Sequence, residues 1–413
     1  MFLLKAIILC GGFGRRLLPL TYRIPKVMVP VGGKPMLQHL VETCRNAGVE
    51  EIILSLNSGQ KSVQEFFGDG LKFGLPIKYV FEEAGKDEEK LGAVGAIKHV
   101  LDSTGVPAEC LILGGDNFFY GVDLKQLSRG HAERGAFATL ALYRLGDRRD
   151  AEQYGVVQVD SRGRVMTMQE KPRPGEEVSD MASTALYHVG EAFLKEYLPK
   201  YVEELKGREK KPDRLGDLWA RFVKDAPIYG HAFQGFWGDA NSPKTYVETN
   251  KQAMRFLQGS VAQGLACSIT DGHCVAVSAK AQVHEDALVK GPCIIEEGCV
   301  VGRGAVVGMG AHLMKGTFVG EGASVHGAIV FEKSFVGAGA RLVECVVDAG
   351  ARVGSGATVE PYAVLGFRSK VGEDSRILQE SRLWPFVEVG EGAIVSGDVK
   401  LAEKMFLDKL DVF

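Results

Sequence analysis

No apolar run in the 413 residues is long enough to cross a bilayer as a helix. The nearest approach, Met1 to Leu9, runs straight into glycines without a small-residue cleavage site, so it is read as a first buried strand. A cytoplasmic protein is expected. Excess charge is also lacking: the formal net charge is -3, which leaves no broad footprint for nucleic acid or an anionic membrane. No cysteine pair has the CxxC spacing of a zinc or dithiol site. Cys10, Cys44, Cys110, Cys267, Cys274, Cys293, Cys299 and Cys345 are scattered among apolar neighbours and are expected to be small buried residues in a reducing compartment. What is present, 46% hydrophobic and 24% charged residues, excludes disorder, and the length exceeds what one core organises. Two domains are expected.

Up to about residue 255, short apolar runs alternate with helix-period segments, the pattern of a mostly parallel sheet with crossover helices. Strands are predicted at Ala6 to Cys10, Ile52 to Leu56, Ile77 to Phe81, Leu111 to Leu113, Ala138 to Tyr143 and Gly155 to Val159. Leu37, Leu40, Val41 and Cys44 line one helix face before Gly48 ends it. Ser242 as N-cap and Pro243 behind it open another helix, running to about Gln258.

Beyond residue 272 the period changes to six. Val277, Val283, Val289, Ile295, Val301, Val307, Leu313, Val319 and Val325 carry it; it slips by one residue twice through Val330, Val336 and Leu342, then resumes from Val347 to Val395. Small residues such as Ala281, Ala287, Ala305 and Ala351 sit near the aliphatic ones. A period of six predicts a β-solenoid, each coil side being one short strand whose aliphatic side chain points to the axis. Gly302, Gly320, Gly354 and Gly372 are assigned to corners of positive φ. The resulting boundaries are 1–258 for the first domain, 259–272 for a linker, 273–400 for the coil and 401–413 for a C-terminal helix or cap.

Chemistry concentrates in Leu9-Cys10-Gly11-Gly12-Phe13-Gly14-Arg15-Arg16-Leu17, followed by Pro25-Lys26. Glycines after a first strand let backbone amides approach phosphate oxygens, and the cations that follow neutralise a polyphosphate. The loop lacks both the GxGxxG spacing of a dinucleotide fingerprint and the Gly-Lys-Ser/Thr of a P-loop.

Gly11 to Lys26 resembles the GGxGxRLxPLTxxxPK signature of the NDP-sugar pyrophosphorylases, a nucleotidyltransferase family. The resemblance continues in order through Gly114-Gly115-Asp116-Asn117, Tyr154-Gly155-Val156, Glu170-Lys171-Pro172 and Trp237-Gly238-Asp239. It implies a Rossmann-like α/β catalytic domain, a left-handed parallel β-helix of hexapeptide repeats, and the joining of a nucleoside triphosphate to a sugar 1-phosphate with release of pyrophosphate. It also implies Mg²⁺ as cofactor, with Asp116 and Asp239 as ligands. Hard carboxylate oxygens suit such an ion. By the same resemblance Leu9, Gly11, Gly12, Gly14, Glu83 and Gly92 bind the nucleotide, Arg16 and Lys26 stabilise the phosphates in catalysis, and Tyr154, Gly155, Glu170 and Lys171 hold the sugar phosphate.

Two departures stand out. Ala240-Asn241-Ser242 follows Asp239 where the family commonly has Ile/Val-Gly-Thr, and Ala185 stands where many relatives have the Gly of Asn-x-Gly. A carboxylate at Glu82 or Glu83 accepts two donors, as guanine offers, which favours GTP with mannose 1-phosphate. The run Gly115 to Gly121 instead resembles glucose-1-phosphate thymidylyltransferases, and the substrate pair stays open between these and UTP. The coil is expected to assemble homo-oligomers. The alternatives are an acyltransferase activity with His312 or His326 as general base, or a non-catalytic regulatory subunit; the presence of Arg16, Lys26 and both Asp residues favours catalysis.

Overall fold

The computed structural model describes residues 4–83, 91–205, 214–256, 265–270 and 272–401. By its contacts the chain divides into two compact units, Met1–Phe13 with Met36–Trp237, and Gly14–Pro35 with Gly238–Phe413.

In the first unit, nine strands among the described residues form one sheet. Its main path runs Val165–Glu170, Gly155–Val159, Met181–Gly190, Glu109–Gly114, Lys5–Leu9, Glu51–Asn57, Ile77–Glu82. The last four are parallel, and Ala6, Ile7 and Ile8 are covered on both faces, as a central parallel strand requires. Parallel pairing runs through the centre of the sheet, and Met181–Gly190 adds antiparallel pairing to Glu109–Gly114 and to Ala138–Arg144. That long strand, Val165–Glu170 and Ile228–Ala232 have no counterpart among the predicted strands; their apolar residues are interrupted by polar ones that lack a clean alternation. Met36–Ala47 buries Leu37, Leu40, Val41 and Cys44 and ends at Gly48 with φ 83°. Val49 N–H then closes onto the Cys44 carbonyl, a Schellman ending.

A buried polar group sits under the same sheet. Helix Leu124–Glu133 carries His131, whose ring stacks on that of His188 with centroids 4.1 Å apart and planes 1° from parallel. Thr139 Oγ1 and Ser128 Oγ lie 3.0 Å from the respective Nδ1 atoms, and Glu109 Oε2 lies 3.3 Å from His188 Nε2. Burial lowers the pKa of His131 to about 4; burial, then His131, lowers that of His188 to about 3.

The second unit holds three sheets of nine, seven and seven strands among the described residues, the flanks of a β-helix; within these sheets Ala266–Thr270 runs antiparallel, against His273–Val277, and the other described strands are parallel. This strand lies in the segment read as linker. Rungs such as Ile295, Leu313, Val330, Val347, Leu365 and Leu383 stack along the axis and are fully buried. Val277, Val283, Val389 and Val395, nearest the two ends, are only partly covered. Both period slips shorten one corner, between Ser324–His326 and Ile329–Val330 and between Arg341–Val343 and Val346–Val347. Helix Pro243–Phe256 packs there. Its Lys251 bonds Glu344 at 2.5 Å, and a β-carbon on Gly327 would meet the Glu344 and Lys251 side chains. Ser242 and Thr245 open the helix with reciprocal bonds, 3.2 Å from Thr245 N–H to Ser242 Oγ and 3.0 Å from Ser242 N–H to Thr245 Oγ1.

Two expectations are corrected. Gly302, Gly320, Gly354 and Gly372 do not have positive φ; their place in the turn belongs to Gly304, Gly322, Gly356 and Asp374. They are glycines because each α-carbon lies against the next coil: a β-carbon on Gly354 would sit 2.6 Å from Glu373 N. Cys267 and Cys274 are joined by a disulfide in the antiparallel pair, while the other six cysteines are free and buried. Of the expected 401–413 cap, all but Leu401 lies outside the described residues.

Gly337→Ala places a β-carbon 2.5 Å from Ser355 N and is expected to cost about 1–3 kcal/mol in chemical unfolding. Gly390, whose added carbon meets nothing within 4 Å, is the matched control, and its alanine variant should unfold as wild type does. Equal effects would discard the stacking explanation.

The histidine pair predicts a pH dependence. Both pKa values are depressed on folding, so the unfolded chain takes up protons first, and stability is full above about 6.5 and falls as the pH drops toward 4. Each histidine contributes a slope of about 1.4 kcal/mol per pH unit in that window. Unfolding midpoints of wild type and His188→Asn between pH 7 and 5 check it: the variant should have the shallower slope, and parallel slopes would refute the assignment.

Candidate active site

Parallel strands that end together position the candidate residues of the first unit. Leu9 is in register with Gly114, and the pairing continues past both strands through Gly115 N–H to the Leu9 carbonyl at 2.9 Å. Gly11-Gly12 and Gly115-Asp116 therefore emerge from the carboxyl ends of neighbouring strands, where α/β sheets bind their ligands. A β-carbon on Gly12 would meet nothing within 4 Å, so the backbone there is open to an approaching phosphate. The turn is fastened from below by two buried side chains that the sequence reading missed. Gln60 Nε2 donates to the Cys10 carbonyl at 2.9 Å, and Asn57 Nδ2 to the Gly11 carbonyl at 3.3 Å.

Asp116 is oriented by its neighbour. Asn117 Nδ2 donates to Asp116 Oδ1 at 3.0 Å and to the Gly114 carbonyl at 3.1 Å, and Trp237 Nε1 locks the other end of that amide with a 2.8 Å bond to Asn117 Oδ1. Burial, aided by the Asp116 charge, raises the pKa of the Cys10 thiol far above its ordinary value, so Cys10 is an inert core residue. Trp237 also packs on Tyr154, ring centroids 4.7 Å apart.

Tyr154-Gly155 and Glu170-Lys171 come together because Gly155 is in register with Glu170 and Lys171 N–H bonds the Tyr154 carbonyl at 3.0 Å. The Glu170 carboxylate occupies the space a side chain would fill at Gly155 or Gly216. Its pKa is raised, chiefly by burial; Lys171 and Arg214 oppose the shift and Asp217 adds to it. Lys171 is exposed, at φ 49°. Ala185 lies at φ 54°, where the register of Met181–Gly190 shifts between Ser183 and Tyr187, a conformation that glycine adopts most readily. A side chain at Gly114 would meet the Ala185 methyl at 3.3 Å.

Of the two candidate base readers, Glu82 is buried and Glu83 is exposed. A β-carbon on Gly11 would lie 2.6 Å from Glu82 Oε1, and Leu91 N–H reaches Glu82 Oε2 at 3.3 Å, one residue before helix Gly92–Thr104. Glu82, not Glu83, therefore faces the glycine turn.

The second unit carries the cations. Gly14, at φ 65°, caps the turn Arg15–Leu17, with Thr21 Oγ1 on its carbonyl at 2.9 Å, and this exposes Arg16. Lys26 is buried, and its Nζ donates to Asn241 Oδ1 at 2.6 Å. The amide end of Asn241 donates to Asp239 Oδ2 at 2.5 Å, and its backbone N–H to Oδ1 at 2.9 Å. The departure after Asp239 thus installs a bridge: Asn241 ties the lysine to the carboxylate. Thr249 Oγ1 holds the Asp239 carbonyl at 2.8 Å.

Two other groups were candidates for chemistry. Among the described residues Glu109, His131 and His188 could hold a metal by composition, yet parallel imidazole planes cannot aim their in-plane lone pairs at one point. His312, read as a coil-edge base, is instead fully buried, with Nε2 2.8 Å from Glu296 Oε1.

Comparison with known proteins agrees with this geometry. Residues 5–255 match the nucleotidyl transferase family model, and 293–361 match the model of the GlmU-like C-terminal hexapeptide domain. A UTP--glucose-1-phosphate uridylyltransferase of Synechocystis is 29% identical over 59% of this chain and 61% of its own. A mannose-1-phosphate guanylyltransferase of Mycobacterium tuberculosis is 32% identical over 79% of each chain. A solved Bacillus anthracis protein, assigned as a glucose-1-phosphate thymidylyltransferase, superposes with a TM-score of 0.53 at 25% identity, over 60% of this chain and 95% of that one. With the strand-end glycine turn, the oriented aspartates and a family model spanning most of the chain, the protein belongs to the nucleotidyl transferase family.

Proposed function

We propose that the protein is a Mg²⁺-dependent sugar-1-phosphate nucleotidylyltransferase that takes GTP and mannose 1-phosphate. The observation carrying the choice of base is the buried Glu82 carboxylate against Gly11, with only one oxygen engaged by Leu91 N–H. A carboxylate accepts but cannot donate, which suits the N1–H and N2–H₂ edge of guanine and disfavours the mixed edge of a pyrimidine. The sugar is carried over from the Mycobacterium tuberculosis relative, whose match covers 79% of this chain and so extends beyond the first domain.

In this reading a phosphate oxygen of the sugar 1-phosphate attacks the α-phosphorus in line, and the bond to the leaving pyrophosphate breaks. The attacking phosphate is held by Lys171, and the sugar hydroxyls by Glu170 and the backbone at Tyr154-Gly155. Amides of Gly11, Gly12 and Gly14 receive the triphosphate with Leu9 and Gly92 near the base. Arg16 and Lys26 balance the charge that grows as pyrophosphate departs. Asp116 and Asp239 are carboxylates oriented by amide donors, and such hard oxygens fit Mg²⁺. The ion, when bound, supplies charge neutralisation at the phosphates.

Pyrophosphate release is to be followed with GTP, dTTP, UTP, ATP and CTP against mannose, glucose and glucosamine 1-phosphates. Release is expected with GTP and mannose 1-phosphate, lost on chelation of Mg²⁺, and reduced at least about 100-fold in folded Asp116→Ala and Asp239→Ala. Release with dTTP or UTP and glucose 1-phosphate would overturn the substrate assignment, and silence across the panel would overturn the activity. Glu82→Gln should lower kcat/KM for GTP by about 10-fold or more relative to UTP; an unchanged ratio removes Glu82 as the base reader.

A further inference from the structure

The loop Gly14–Pro35 carries two of the proposed catalytic cations, and within the second unit it is held on both sides. Helix Pro243–Phe256 takes one side, through Tyr246 Oη to the Pro30 carbonyl at 2.9 Å and Gly32 N–H to Asn250 Oδ1 at 2.9 Å. The β-helix takes the other. Arg23 reaches Asp348, a carboxylate with no exposed surface, directing Nη2 at 2.8 Å and Nε at 3.3 Å onto the same Oδ1. Its guanidinium lies between the rings of Phe331, at 5.8 Å, and Phe367, at 5.7 Å, with Glu332 Oε2 at 3.7 Å. Next to it the Tyr22 ring meets Trp384 edge-on at 5.1 Å. Phe331, Asp348 and Trp384 directly follow strands of the same flank, and Phe367 lies two residues past the strand Val364–Leu365 of that flank, so four successive coils contribute to one ledge.

A buried carboxylate is costly unless paired, and Asp348 keeps one oxygen, Oδ2, with no hydrogen bond. A hydrophobic corner would have closed the coil without that cost. What the charge adds is a fixed, directional partner for Arg23, three residues before Lys26 and separated from it only by Ile24 and the stiff Pro25. Resting on the catalytic reading given above, we propose that Asp348 is a positioning residue: through Arg23 the β-helix sets the conformation of the loop that presents Arg16 and Lys26 to the triphosphate. The coil is then part of the catalytic apparatus of its own chain.

The test uses the full chain in three single variants, Asp348→Ala, Asp348→Asn and Arg23→Met, and in Asp348→Asn combined with Arg23→Met, with kcat, the KM for each substrate and backbone hydrogen exchange measured on each. Asp348→Ala and Arg23→Met should lower kcat by about 100-fold, the scale on which small misplacements act, with KM for the sugar 1-phosphate changed less than threefold. Amide exchange should accelerate in 14–29 while Lys5–Leu9 and Glu109–Gly114 keep wild-type protection. Asp348→Asn, which keeps an acceptor oxygen for Arg23, should recover most of the loss. If Asp348→Ala loosens the coil as a whole, Arg23→Met made in the Asp348→Asn chain, which breaks the ion pair without leaving an unpaired buried charge, decides. Wild-type kcat and wild-type exchange of 14–29 in Arg23→Met, alone or in the Asp348→Asn chain, would overturn the proposal. Wild-type protein without nucleotidyl transfer would instead overturn the catalytic reading, and the exchange data would still decide whether Asp348 orders the loop.

Discussion

A polyphosphate can be held only where several backbone donors and cations face one place without being used up by the protein's own hydrogen bonds. The parallel pairing of Lys5–Leu9 with Glu109–Gly114 on one side and Glu51–Asn57 on the other meets the backbone part of that condition. It consumes backbone groups along the strands and stops in register at Leu9 and Gly114, leaving two glycine-rich turns side by side. Asn57 and Gln60 then bind the carbonyls of Cys10 and Gly11, so the turn is fixed by its acceptors. Asp116 follows one strand of this edge, and Glu82 ends the strand beside Glu51–Asn57.

The coil obeys a different constraint, one-dimensional stacking, in which each residue must suit the residue one coil above and below. Aliphatic rungs satisfy it inside, and glycines whose α-carbons touch the next coil satisfy it at one corner. Local breaks in the repeat are therefore informative. The two shortened corners coincide with Lys251 and Glu344, and the one fully buried acidic group among the described coil residues coincides with Arg23. In both places the coil gives up regularity where other parts of the second unit pack.

Much of this was legible from residue order alone. Period six marked the axis residues, and the ordered motifs singled out Asp116, Lys26, Glu170 and Asp239 as candidates. What could not be read was orientation. Nothing in Glu82-Glu83 says which carboxylate turns inward; that follows from the alternation of Ile77–Glu82 and its place at the edge of the sheet. The antiparallel Met181–Gly190 hides its strand character because Ala185 adopts a left-handed conformation in its middle, breaking the alternation. A glycine in a turn signals positive φ or lack of space alike, and Gly354 needs its missing side chain for space. Gln60, Asn57 and Asp348 act through partners 50, 46 and 325 residues away in sequence, a distance no local pattern spans.

The signature from Gly11 to Lys26 is contiguous in sequence but divided by contacts after Phe13: its first glycines belong with the sheet, and Gly14 onward with the coil and helix Pro243–Phe256. Asn241 belongs to the second set, joining Lys26 to Asp239 within 2.6 Å. A lysine amine and a carboxylate held by the same amide cannot be displaced independently, because moving either one breaks a bond of the other's partner. The same holds one step further out, where Arg23 ties the loop to Asp348. Backbone donors are thus set by strand register, and cations by side-chain bonds to the coil and its helix. Asn241 therefore fixes how the lysine is held, which residue order alone does not reveal.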